Sequence, residues 1–104
     1  MTDSPQVAAL KEKYHRSLTT KAETAFEWVE SCRLEWATSD APKEIAAWLH
    51  QLAGSAGMYG YDRVAAQART LLGALRGGGA AAPATQIHRE LLQLGNTLAE
   101  CAKD

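Results

Sequence analysis

Residues 41–61 read APKEIAAWLHQLAGSAGMYGY, and the spacing inside this stretch decides the fold. Apolar residues recur at Ile45, Trp48, Leu49, Leu52, Ala56 and Tyr59, mostly in steps of three and four. That is the stripe of a helix, not the alternation of a strand. Asp40 and Pro42 stand where a helix begins, and Gly60 stands where one is capped at its C-terminus. Advancing about 100° per residue from His50, the residues Lys43, Ala46, Ala47, Ala53, Gly54 and Gly57 all fall within about 60° of it. All but Lys43 are small. The spacing predicts an imidazole that points to solvent above methyl groups and bare backbone.

Outward from this stretch, the same period continues on both sides. Ser4 and Pro5 resemble an N-cap and first helical turn, opening a segment to about Ala37 whose seam is Val7, Leu10, Tyr14, Leu18, Ala22, Ala25, Val29, Cys32 and Trp36. Thr19 and Thr20 are its weak patch, so residues 1–17 are expected as a helical arm and residues 18–104 as the bundle of a single 1–104 domain. Asp62 is expected to cap a third helix carrying Val64, Ala68, Leu71 and Leu75, which ends at the Gly77-Gly78-Gly79 run. A fourth follows Pro83, with Ile87, Leu91, Leu94, Leu98 and Cys101 inward. Short connections favour antiparallel neighbours, so the expectation is an all-α, up-down-up-down four-helix bundle with an N-terminal helical extension. That topology holds Cys32 and Cys101 apart, as two reduced thiols.

The chain of 104 residues is long enough to bury one core without a metal or disulfide staple. Eleven basic against twelve acidic residues leave a formal charge of −1, so no excess of cations is available for phosphate backbones, and nucleic acid is not expected as a partner. No apolar run approaches the roughly 20 residues of a membrane span, and the N-terminus lacks a leader pattern. A cytoplasmic monomer is the expectation. His15 and His88 fall on polar faces, and no His-x-x-x-His or Glu-x-x-His pair supports a metal site. No metal or cofactor is expected.

Each of the two glycines inside the second helix costs about 0.8–1 kcal/mol relative to alanine. A structural account is that a neighbouring helix needs the room; the functional account is that a partner approaches His50 closely. Residues 50–61 resemble the signature of histidine-containing phosphotransfer (HPt) domains: His50, apolar Leu52, Gly54, the small residues Ser55, Ala56 and Gly57, and the closing Gly60. The resemblance implies that His50 accepts a phosphoryl group from the phosphoaspartate of one receiver domain, as in a hybrid histidine kinase, and passes it to a response regulator's receiver. On this reading Mg²⁺ and most transition-state stabilisation come from the receiver, and the chain is a phosphocarrier rather than a self-sufficient enzyme.

The docking surface implied comprises Lys43, Ala46, Ala47, Gln51, Ala53, Gly54 and Gly57, with Arg69, Leu72 and Arg76 from the third helix. Two positions depart from the family pattern. Ala53 stands where many members carry a lysine, and Leu72 where some carry a polar residue that orients the histidine. Competing readings are a helical adaptor that binds a receiver or kinase without being phosphorylated, and a bundle enzyme with His50 as general base, which needs a pocket and a second polar group.

Overall fold

Pro5 opens α1 (Pro5–Leu34), its fixed φ suiting a first helical turn, and the helix runs 30 residues without interruption through Thr19 and Thr20. The computed structural model describes residues 5–34, 41–76 and 84–103. The chain continues as α2 (Ala41–Met58), α3 (Asp62–Arg76) and α4 (Ala84–Lys103), and the described residues contain no strand. Ser4, Trp36, Asp40, Pro83, the 77–82 linker and the side chain of Cys32 lie outside the described residues.

The four helices form the expected antiparallel bundle, with α1 packed along α4, α2 along α3, and α3 against α4. Contact between α1 and α2 is narrow. Leu18, Ile45, Leu49, Val64, Leu71, Ile87, Leu91, Leu94 and Leu98 are its largest fully buried side chains, all drawn from the periodic stripes. Trp48, Tyr59 and Leu75, expected inward, are half-buried at the edge of this core. Cys101 is half-buried near the end of α4.

The expected seam fails at its start. Val7 and Leu10 are 39% and 52% exposed, and every residue from 5 to 13 is exposed; Tyr14 is the first side chain to enter the core. The reason is register. Phe26 of α1 lies against Gly95 of α4, and Lys103, eight residues beyond Gly95, falls opposite Leu18, eight before Phe26. No described helix flanks the turns of α1 that precede Tyr14.

The α2–α3 turn is a Schellman cap. Tyr61 N–H donates to Ala56 O at 2.8 Å and Gly60 N–H to Gly57 O at 3.3 Å, while Gly60 takes φ +87°, which favours glycine. Asp62 is the first helical residue of α3 rather than its cap; Tyr61 O accepts the first bond, from Ala65 N–H at 3.0 Å. The Asp62 carboxylate still sits where the helix dipole favours negative charge.

Tyr14 ties α1 to this turn. Its ring stacks on Tyr59 at 4.5 Å and tilts against Tyr61 at 5.7 Å. Ser55 Oγ donates to Leu52 O at 3.3 Å, which leaves it to accept the Tyr14 hydroxyl at 2.8 Å. His15 is half-buried rather than on an open face, with Nδ1 2.9 Å from the Tyr61 hydroxyl. His88 is half-buried as well.

Candidate functional site

Burial of Leu49 and Leu52 sets the rotation of α2, and that rotation turns His50 outward at mid-helix. His50 is exposed, and among the described residues its ring has no hydrogen-bond partner. One turn on, Gly54 is exposed with nothing within 4 Å of where a Cβ would stand. Ala47 and Gln51 are exposed beside the histidine, and Ala46 is half-buried. The ring therefore stands above a low surface.

Two of the expected surface residues turn toward α3 instead. Ala53 is only 6% exposed and belongs to the core, so its methyl group is not available to a partner. A Cβ on Gly57 would lie 3.5 Å from an Arg69 guanidinium nitrogen and 3.9 Å from Ala65 Cβ. Both distances are ordinary van der Waals contact, so helix packing demands a glycine at neither Gly57 nor Gly54. Leu72 is half-buried and packs against the core, which makes it floor rather than a group able to bond the imidazole.

Cations border this surface. Lys43 and Arg76, both exposed, line an open groove of about 370 Å³ with Ala46, Ala47 and Leu75, on the N-terminal side of His50 along α2. Arg69 is exposed and reaches over Gly57, toward the C-terminal side. On the other flank, where α1 stands off from α2, a second groove of about 270 Å³ is lined by Tyr14, Lys21, Trp48, Gln51, Leu52 and Ser55. Lys21 Nζ donates to Ser17 Oγ at 2.8 Å and lies 4.7 Å from the centroid of the Tyr14 ring. Burial holds the Lys21 amine below its ordinary range.

A family model described as the Hpt domain matches residues 9–102. The chain belongs to the Hpt family. Membership gives it a phosphotransfer role in two-component signalling, as a carrier module of the kind that meets receiver domains. No curated protein and no solved structure gives a significant match. No described helix is long and apolar enough to cross a membrane. Among the described residues, no three His, Cys, Asp or Glu side chains gather as metal ligands.

Sequence reasoning missed two features of this Hpt surface. Met58, 77% exposed, lies about 80° around the helix from His50, just beyond the small residues that fall within about 60° of it. Its signal was a large apolar residue eight positions after the histidine and four after Gly54. Gly73 on α3 is exposed with nothing within 4 Å, between Arg69 and Arg76 in sequence. A glycine inside a helix with no packing duty was the signal there.

Proposed function

We propose that His50 is the phosphoacceptor of this Hpt domain, taking a phosphoryl group from the phosphoaspartate of one receiver and returning it to the aspartate of another. The observation that carries this is the exposed, unbonded ring at mid-helix with open space over Gly54. An in-line displacement needs the attacking nitrogen, phosphorus and leaving oxygen nearly collinear, so a receiver's pocket has to descend over the imidazole. A side chain at position 54 would stand in its way.

In the forward step the unprotonated ring nitrogen attacks phosphorus, the N–P bond forms, and the P–O bond breaks with its electron pair left on the aspartate carboxylate. Delivery to the second receiver reverses these changes. This chain's residues orient the ring and receive the partner. Ala46, Ala47, Gln51, Gly54 and Leu72 form the floor, Met58 adds apolar contact, and Lys43, Arg69 and Arg76 attract a receiver's acidic rim. Gly57 lies beneath the Arg69 guanidinium, at the edge of this floor. Ala53, being buried, has no part. On this reading the protein works as a cytoplasmic monomer with modest affinity, since a carrier has to leave one receiver before meeting the next.

Incubation with a phosphorylated receiver tests the assignment. Acid-labile, base-stable label is expected on the wild type and none on His50→Gln. Label retained by His50→Gln overturns it. Label on neither protein across a panel of receivers replaces it with the docking-only adaptor.

A further inference from the structure

A four-helix bundle closes when each helix packs along its neighbours, yet α1 meets α2 only narrowly. The gap between them is the open groove of about 270 Å³, with Tyr14 and Lys21 on one wall and Trp48, Gln51, Leu52 and Ser55 on the other. Its polar groups are not equally free. The Tyr14 hydroxyl is bonded to Ser55 Oγ, and Ser55 Oγ to Leu52 O. Lys21 is half-buried and lines the same space, but it spends one N–H on Ser17 Oγ and lies over the Tyr14 ring. Ser17 gives its own proton to Tyr14 O at 2.6 Å, so it serves Lys21 only as an acceptor. Among the described residues no carboxylate pairs with this ammonium. A cation drawn partly out of water is unfavourable unless an anion meets it, and burial already holds the Lys21 amine below its ordinary range.

A ligand that completes this groove brings a negative charge and acceptor oxygens, and needs few donors of its own. Its body is apolar and flat, because half-buried Trp48 supplies an aromatic wall and buried Leu52 a floor. A single ammonium with spare donors matches the one charge of a carboxylate; a phosphate dianion calls for more cations than the groove holds. A water's share of liquid is roughly 30 Å³, so the space takes several waters or, in their place, one ring with its carboxylate. We propose that the α1–α2 groove binds a small aromatic carboxylate, its anion on Lys21 and its ring along Trp48. Trp48 and Ser55 lie about 140–160° around α2 from His50, so an occupied groove leaves the imidazole uncovered. The site therefore stands independently of the phosphoacceptor reading.

The test is an NMR titration of the intact, ¹⁵N-labelled protein with benzoate, with benzamide as its uncharged isostere and with acetate as a carboxylate lacking the ring, all at matched ionic strength. Saturable shifts are expected at Lys21, Trp48, Gln51 and Ser55 with benzoate. Binding is expected to be at least tenfold weaker with benzamide, at least tenfold weaker with acetate, and at least tenfold weaker for benzoate in Lys21→Met. Thermal melting of Lys21→Met separates lost binding from lost fold; where the variant does not melt cooperatively, the ratio of benzoate to benzamide affinity on the wild type decides. Benzoate shifts that do not saturate, that benzamide or acetate reproduces, that centre on Lys43 and Arg76 instead, or that persist unchanged in a folded Lys21→Met overturn the proposal. No receiver enters the titration, so its failure leaves the role of His50 untouched, and failed phosphotransfer leaves this groove untouched.

Discussion

Gly54 and Gly95 sit in helices for different reasons, and the difference is measurable. Gly54 faces open space, so Gly54→Ala is expected to raise stability by about 0.5–1 kcal/mol in urea unfolding, from helix propensity alone. Gly54→Phe is expected to fold as well as wild type while slowing phosphotransfer from a receiver at least tenfold; unchanged transfer would refute the clearance argument. Gly95 is the opposite case. A Cβ there would come within 2.6 Å of Phe26 Cε1, and the half-buried ring is packed on the core. Overpacking of about 1–3 kcal/mol outweighs a propensity gain of about 1, so Gly95→Ala is expected to lose about 1 kcal/mol net, with Phe26→Leu suppressing the loss in a double-mutant cycle. The helical wheel read Gly54 correctly because nothing but α2 decides its surroundings. It misread Ala53 because a wheel is symmetric about His50 and the bundle is not. Ala47 and Ala53 lie about 60° to either side of the histidine, yet α3 covers one flank while α1 stands off from the other.

Among the elements, α1 meets α2 narrowly, through Tyr14 and the groove residues around Ser55. Burial raises the Tyr14 hydroxyl above its ordinary 10.0, so the folded state keeps a proton that the unfolded chain gives up. Stability from this source is present below pH 10.0 and is lost as pH rises from there through the folded value. Lys21 has the other sign. Burial lowers its amine below 10.5, so between its folded value and 10.5 the unfolded chain binds more protons and stability rises with pH. Melting curves from about pH 8 to about pH 12 are expected to show both limbs. Tyr14→Phe should flatten the alkaline fall, and Lys21→Met the rise before it; a fall of equal size in Tyr14→Phe would remove Tyr14 as its cause. None of this cluster was legible from periodicity. Tyr14 and Ser55 are separated by 41 residues, and their meeting depends on where two helices end, which a local pattern does not encode.

For the molecule as a whole, length and overhang matter. The chain extends 48 Å along its longest axis against 24 and 19 Å across, and the exposed first turns of α1 lie outside the core. Deleting residues 1–13 is therefore expected to lower Tm by no more than about 4–8 °C, the equivalent of about 1 kcal/mol for a domain of this size. Deleting through Leu18 removes two core side chains and is expected to abolish cooperative melting. The four helices, their order, the outward rotation of His50 and the Gly60 cap were all readable in the residues, because helix period and capping are local properties that neighbours along the chain enforce. Which flank of α2 is covered, where the seam of α1 stops finding a partner, and the close approach of Phe26 to Gly95 came only with the assembled bundle. Each depends on the offset of one helix against another, and that offset is settled by the packing of all four together.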